Sequence, residues 1–255
     1  MSSRDGDAIR VGRAALGPTP NMLRRLAAEA IGTAFLLAAV VGSGIMGVRL
    51  AGGNVALALL ANSLATGAAL VVLILTFGPV SGAHLNPAVT LADASQHGLP
   101  WREVTPYIAA QLTGAVAGVW MAHLMFGVPV IQLAQIPRSG LSQDFSEFVA
   151  TFGLMSVIWG CSRSRATAVP LAVGLYITAA YWFTASTSFA NPAVTLARML
   201  TNTFTGIRPA DAPAFIAAQL AGAMAATGLF RWLLPISVSK AEGLLVPHPA
   251  ERISE

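Results

Sequence analysis

Six apolar stretches dominate the sequence, and each has the length that a helix needs to cross a lipid bilayer. They cover about residues 26–48, 54–77, 104–126, 146–162, 167–185 and 212–234. A span needs roughly 20 apolar residues, because the hydrocarbon core is about 30 Å thick and a helix rises about 1.5 Å per residue. The pattern therefore predicts an all-α integral membrane protein.

The charge content agrees with a membrane protein and argues against other classes. Only 10% of the 255 residues are charged and 55% are hydrophobic, whereas about 25% are charged in an ordinary soluble domain. A single cysteine, Cys161, excludes a disulfide framework and a multi-thiolate metal site. The 15 Lys and Arg residues lie mostly between the apolar stretches, so we interpret them as topology signals rather than as a nucleic-acid surface.

Six spans place both chain termini on the same side of the membrane. That side would carry eleven basic residues against four on the other side. Because an excess of Lys and Arg marks the cytoplasmic face, we expect both termini in the cytoplasm.

Two shorter apolar segments follow the second and the fifth stretch. They cover about residues 87–97 and 192–201, and each begins at an Asn-Pro pair. About ten residues cannot cross the bilayer, and proline suits the first turn of a helix, where its missing N–H is not needed. We predict two half-helices that start at Pro87 and Pro192.

The two halves of the chain repeat the same order of elements. Residues 86–92 are identical to residues 191–197, and 109–115 closely match 217–223. Each half would contain three spans, and this odd number makes the second half insert upside down relative to the first. The sequence therefore predicts an inverted repeat with a site near the midplane.

The two half-helices of an inverted repeat would point their N-termini at the membrane centre from opposite sides. N-terminal N–H groups lack intrahelical partners and carry partial positive charge. Two such ends disfavour a cation or a hydrated proton, but they do not disfavour a neutral hydroxylated molecule. Asn86 and Asn191, at the two N-caps, can keep side-chain N–H₂ groups free for a passing oxygen. We interpret this region as a pore for small neutral solutes.

The doubled Asn-Pro-Ala sequence resembles the motifs of the aquaporins, or major intrinsic proteins. The two copies are Asn86-Pro87-Ala88 and Asn191-Pro192-Ala193. The resemblance covers about residues 24–234, and it implies six spans, two re-entrant half-helices, one pore per chain and a homotetramer in the lipid bilayer. It also implies that Glu29 and Glu147 are buried structural carboxylates that hold the re-entrant loops and are not catalytic.

The resemblance also divides the chain. A single channel domain would cover 24–234, with inverted halves at about 24–126 and 142–234. Residues 1–23 would form a disordered cytoplasmic tail, and residues 235–255 a C-terminal cytoplasmic tail. The chain contains no nucleophile–base pair, cofactor loop or metal-ligand cluster, so we expect no cofactor, no bound metal and no enzyme activity.

The chain departs from most aquaporins directly after the second motif. Most members have an arginine there, at the outer constriction, whereas this chain has Val194. Valine lacks the permanent charge and the five N–H donors of arginine, and it is shorter. The family pattern also assigns Thr66 and Ser188 to the constriction, and Thr66 is small where a bulky aromatic often stands. We expect a wider, less cationic and partly apolar constriction.

The fifth-span residue of the constriction stays open between two positions. Counting back from Asn191 gives Ala179, whereas aligning the start of the span at Gly174 gives Tyr181. Arg198 lies one helical turn after Val194 on the same face. It could restore part of the missing positive charge, but we favour a structural role in which it pairs with loop carboxylates or carbonyls.

A wider constriction favours solutes larger than water. Candidates are glycerol-like polyols and the hydroxides of metalloids such as arsenous acid, together with some water. The run from 174 to 194 resembles the bacterial aquaglyceroporins encoded with arsenic-resistance genes, which implies a bacterial inner membrane. A mainly water-conducting aquaporin is the alternative, and a coupled transporter is less expected because it would need titrating groups inside the membrane.

Overall fold

The structure is a computed structural model that describes residues 20–235. This part of the chain folds into α-helices and contains no strand. The α-helices are α1 (Met22–Leu50), α2 (Val55–Ser81), α3 (Pro87–Ser95), α4 (Trp101–Phe126), α5 (Leu141–Ser164), α6 (Val169–Phe183), α7 (Pro192–Arg198) and α8 (Ala212–Leu233). Short 3₁₀ helices precede α6 and α8.

Six of these helices are long and apolar enough to cross a membrane, namely α1, α2, α4, α5, α6 and α8, the last two counted with their 3₁₀ turns. The prediction of an all-α membrane fold with six spans is confirmed. The two half-helices also form, and each begins at the predicted proline but ends two or three residues earlier than expected. The predicted tails lie largely outside the described residues.

An asparagine N-cap precedes four of the helices. The side chains of Asn21 and Asn54 accept hydrogen bonds from backbone N–H groups in the first turns of α1 and α2. Asn86 and Asn191 do the same for α3 and α7. An asparagine N-cap satisfies one of the backbone donors that a helix leaves unpaired at its start. Local sequence therefore sets where the two half-helices begin.

The two halves pack in the same way. Helix α1 packs against α2 and α4, and α5 correspondingly packs against α6 and α8. Each half-helix contacts the last span of its own half and the last span of the other half. The two half-helices also contact each other. This arrangement is the inverted repeat that the sequence predicts, and it brings the Asn-Pro-Ala motifs together.

Helices α2 and α6 join the two halves through a close contact between glycines. A Cβ atom on Gly67 would lie 2.7 Å from the carbonyl oxygen of Gly174, and one on Gly174 would lie 2.5 Å from that of Gly67. Real Cβ atoms do not approach this closely, so only glycine allows the two backbones to meet here. Small residues serve this purpose widely in membrane helix packing.

Candidate functional site

Glu29 lies fully buried in α1 and holds the loop that precedes α3. Its carboxylate accepts hydrogen bonds from the backbone N–H groups of His84 at 2.9 Å and Leu85 at 2.8 Å. It also accepts from Ser81 Oγ at 2.7 Å and from Gln111 Nε2 at 2.8 Å. A carboxylate with four donors is fully used by the protein, so it has no lone pair left for a solute or a proton carrier.

Glu147 occupies the equivalent place in α5. It is fully buried and accepts hydrogen bonds from the backbone N–H groups of Phe189 at 2.8 Å and Ala190 at 2.9 Å. Gln219 Nε2 donates to the same carboxylate at 2.6 Å and to Thr195 Oγ1 at 2.9 Å. Each glutamate therefore ties a loop to the first and last spans of its own half.

The two loops adopt the same unusual backbone conformation. Ala83 and Leu85 in the first loop, and Ser188 and Ala190 in the second, have φ values of +48° to +49°. Such residues cost of order 1–3 kcal/mol each and persist only where the surrounding structure enforces them. The bonds to Glu29 and Glu147 enforce this conformation, since they run to the backbone N–H groups of Leu85 and Ala190 themselves.

The asparagines of the two motifs join the loops to each other. Asn86 Nδ2 donates to the carbonyl oxygen of Ala190 at 2.8 Å, and Asn191 Nδ2 donates to that of Leu85 at 2.8 Å. An amide nitrogen carries two hydrogens, so one donor of each asparagine is used and one remains. This corrects the expectation that both N–H groups of each asparagine are free. Both side chains line the central cavity, where the remaining donors are available.

The central cavity has a volume of about 80 Å³. A buried water needs roughly 10–15 Å³ measured in the same way, so several water-sized molecules fit in it. Its lining includes apolar helix side chains, namely Leu36, Val40, Leu70, Ile74, Val173 and Ile177. The two loops contribute residues 82–86 and 188–191, which include the two motif asparagines. A molecule in this cavity therefore meets both apolar and polar groups.

The cavity is also lined by four of the residues that the sequence assigned to the outer constriction, Thr66, Tyr181, Ser188 and Val194. Ala179 is not among the lining residues and lies on an exposed face of α6. Of the two fifth-span candidates, only Tyr181 lines this cavity. The hydroxyl of Tyr181 donates to Thr66 Oγ1 at 3.3 Å. The ring of Tyr181 thus brings aromatic bulk to the small side chain of Thr66.

Arg198 also lines the cavity and is only 2% exposed. Its Nε donates to the carbonyl oxygen of Thr205, which agrees with the structural role favoured from the sequence. Its guanidinium carbon lies 3.4 Å from the centre of the Phe189 ring. One nitrogen of the guanidinium, Nη1, is buried and has no hydrogen-bond partner among the described residues.

Arg138 also lies over the Phe189 ring. The sequence pattern did not predict that this residue lies beside the cavity-lining loop. Its guanidinium carbon is 5.1 Å from the centre of Phe189. Nε donates to the carbonyl oxygen of Gly206 at 2.8 Å, and Nη1 donates to that of Ser186 at 3.2 Å. Burial lowers the pKa of Arg138 from its ordinary value, while Glu147 and Tyr181 act in the opposite direction. The one signal in the sequence is that Arg138 is the single charge in residues 127–140.

Six spans, two inverted half-helices and a cavity where their N-termini meet define a channel-forming membrane protein. A comparison with known protein families agrees, because the model of the major intrinsic protein family matches residues 18–188 and 162–252. The chain therefore belongs to the major intrinsic protein family. Such proteins are channels and not enzymes.

Individual relatives give the same result. The chain is 56% identical over 214 residues to the aquaglyceroporin AqpS of Rhizobium meliloti, covering 84% of this chain and 91% of that protein. It is 36% identical over 144 residues to aquaporin NIP6-1 of Arabidopsis thaliana, covering 55% of this chain and 46% of that protein. The solved structure of the aquaglyceroporin from Plasmodium falciparum shares the fold with a TM-score of 0.68 at 22% identity, covering 86% of this chain and 99% of that one.

Proposed function

We propose that this chain is a passive channel for glycerol-like polyols and arsenous acid, with some conduction of water. The observation that carries the proposal is Val194 in the cavity wall, where most aquaporins have an arginine. Valine leaves space and an apolar surface, and a small solute with both carbon and hydroxyl groups matches a cavity lined by both apolar and polar residues.

The half-helix ends support a neutral solute. The N-termini of α3 and α7 meet at the cavity, and each carries partial positive charge that disfavours cations. One amide N–H of Asn86 and one of Asn191 remain to donate to a solute oxygen. A neutral molecule with hydroxyl oxygens can accept both hydrogen bonds without the desolvation cost of a charge.

The relatives support the polyol assignment more directly than the arsenic assignment. The relative that is 56% identical is named an aquaglyceroporin, and so is the protein of the solved structure. Arsenous acid enters the proposal because the run from 174 to 194 resembles aquaglyceroporins encoded with arsenic-resistance genes. It is neutral at pH 7 and similar to glycerol in size and hydroxyl display.

One observation favours the alternative of a mainly water-conducting pore. Tyr181 donates to Thr66 across the cavity wall, which places an aromatic ring beside the small threonine. A coupled transporter has less support, because the carboxylates of Glu29 and Glu147 are occupied by loop N–H groups and glutamine amides. The proposal also includes a bacterial inner membrane and a homotetramer, as the resemblance implies, and cytoplasmic termini, as the excess of basic residues on that side implies.

Stopped-flow measurements on proteoliposomes test the function directly. Purified protein would be reconstituted, and the fluxes of water, glycerol and arsenous acid would be compared with those of empty liposomes. We expect glycerol and arsenous acid to cross without saturation at low concentration and without a proton or sodium gradient. Glycerol flux with arsenous acid flux equal to empty liposomes would contradict only the arsenic assignment. Water flux alone would favour the alternative, and gradient-dependent uptake would indicate a transporter.

A further inference from the structure

The outer part of the cavity contains two polar groups that the protein itself leaves without partners. One is Nη1 of Arg198, and the other is Oγ of Ser188. Both residues are buried, and both line the cavity. A buried donor or acceptor without a partner is costly, at about 1–3 kcal/mol. Both atoms have almost no accessible surface in the structure, so a passing solute reaches them only when the two side chains shift towards the cavity that these residues line.

Phe189 is a neighbour of both residues, of Ser188 along the chain and of Arg198 in space. Ser188 directly precedes Phe189 in the second loop, and the guanidinium of Arg198 lies against the Phe189 ring at 3.4 Å from its centre. Arg138 lies over the same ring at 5.1 Å from its centre. The ring thus keeps the Arg198 side chain in one position through a cation–π contact, which is strongest where water is excluded.

Arg198 forms no ion pair among the described residues, although the carboxylate of Glu147 acts on its charge at longer range. The three ion pairs found in residues 20–235 do not include Arg198, and its Nε bonds to a neutral carbonyl oxygen. The guanidinium of Arg138, which lies over the same Phe189 ring, carries a charge of the same sign. A buried charge that is not paired directly with a carboxylate acts on the cavity that it lines, because little solvent screens it.

We propose that Arg198 supplies, from one helical turn beyond Val194, the cationic donor of the outer mouth, and that with Ser188 it binds the hydroxyl group of a passing solute. After this shift, Arg198 Nη1 donates to the solute oxygen, while Ser188 Oγ accepts from or donates to a solute hydroxyl. Val194 and the apolar wall contact the carbon or metalloid part of the solute. The valine thus widens the pore, and the arginine preserves its rejection of cations. This inference rests on the proposed function and names its specificity residues.

Arg198→Gln tests the charge, because glutamine keeps N–H donors but is neutral. The matched control is Arg208→Gln, since Arg208 is an arginine after the same half-helix whose side chain is 44% exposed and pairs with Asp211 at 2.9 Å. Proton flux into proteoliposomes would be followed with an internal pH dye, beside glycerol flux. We expect Arg198→Gln to raise proton flux about tenfold, which corresponds to about 1.4 kcal/mol of barrier. Arg208→Gln should leave proton flux unchanged.

Two further variants separate charge from hydrogen bonding and cover a failure of the first variant to fold. Arg198→Lys keeps the charge, so it should exclude protons like the unchanged protein. Ser188→Ala removes only the hydroxyl, so it should lower glycerol flux relative to water and leave proton flux unchanged. A proton leak in Arg198→Lys, or an unaltered glycerol-to-water ratio in Ser188→Ala, would overturn the corresponding half of the inference.

The outcomes also distinguish this inference from the proposed function. If the unchanged protein passes glycerol while Arg198→Gln folds and still excludes protons, then the role of Arg198 is wrong and the channel assignment stands. If the unchanged protein passes no neutral solute, then the proposed function is wrong, and the solute subsite is wrong with it.

Discussion

Val194 belongs to the first turn of α7 and is buried in the cavity wall. Its backbone N–H donates to Asn191 Oδ1 at 3.3 Å, so the N-cap of the half-helix holds the backbone from which the Val194 side chain projects. The side chain itself is short and apolar. Width and polarity at this point therefore depend on one residue, while the surrounding loops are held by buried glutamates.

Val194→Arg should make the channel more selective for water. The added guanidinium would narrow the cavity and hold water strongly, so glycerol and arsenous acid would meet a larger barrier than water does. We expect the glycerol-to-water flux ratio to fall about tenfold or more, equivalent to about 1.4 kcal/mol. Val194→Met is the control for length without charge and should have a smaller effect. An unchanged ratio in a folded Val194→Arg protein would mean that the constriction lies elsewhere, with Tyr181 as the next candidate.

Asn86→Asp should weaken the rejection of cations. Aspartate cannot donate to the carbonyl oxygen of Ala190, and its negative charge would offset the positive N-terminus of α3. We expect a rise in cation conductance in planar bilayers and a fall in glycerol flux. Asn54→Asp makes the same chemical change at the exposed N-cap of α2 and should alter neither quantity. Large ionic currents through the unchanged protein would contradict the electrostatic argument itself.

At the scale of elements, close packing between helices positions the loops. Helix α8 meets α5 at Gly222, where a Cβ atom would collide with the carbonyl oxygen of Phe148. Phe148 directly follows Glu147, the residue that holds the second loop. A displacement of α5 at Phe148 would therefore move Glu147, and through it the loop that lines the cavity.

Gly222→Ala should destabilise the protein and reduce flux, whereas Gly228→Ala should be tolerated. Both glycines lie in α8, but nothing lies within 4 Å of a Cβ atom on Gly228. Overpacking costs typically about 1–3 kcal/mol. We expect a lower thermal unfolding temperature in detergent for the first variant only. Equal unfolding temperatures for the two variants would show that α5 and α8 can separate without cost.

At the scale of the whole molecule, each half of the inverted repeat contains the same structural features. A buried glutamate, a glutamine on the last span, an asparagine N-cap and a strained loop recur in both halves. The two halves meet along α2 and α6 and at the half-helices. The cavity lies where the halves join, so neither half alone contains a complete pore.

The homotetramer implied by the family resemblance gives a prediction at this scale. Outer faces of α1 and α2 expose large apolar side chains, among them Ile31, Phe35, Leu57 and Leu64. These faces must lie against lipid or against other copies of the chain. We expect light scattering in mild detergent to give the mass of four chains. A monomer with full glycerol flux would contradict the tetramer and leave the pore unaffected.

Local pattern was enough to predict much of this molecule. Six apolar stretches, two Asn-Pro starts and an odd number of spans in each repeat led to the six spans, the half-helices and their inversion. These features depend on hydrophobic length and on N-cap chemistry, which act within a few residues of each other. The family resemblance assigned Val194 to the outer constriction, because it directly follows the second Asn-Pro-Ala motif.

The tertiary structure decided which side chains share the cavity. Sequence spacing could not decide whether Ala179 or Tyr181 faces the cavity. That depends on how α6 packs against α2, where Gly67 and Gly174 approach each other closely. The cross-loop bonds of Asn86 and Asn191, and the two arginines around Phe189, likewise join residues that are distant in sequence. Sequence periodicity identifies one face of a helix, but it does not specify which residues of other helices and loops lie against that face.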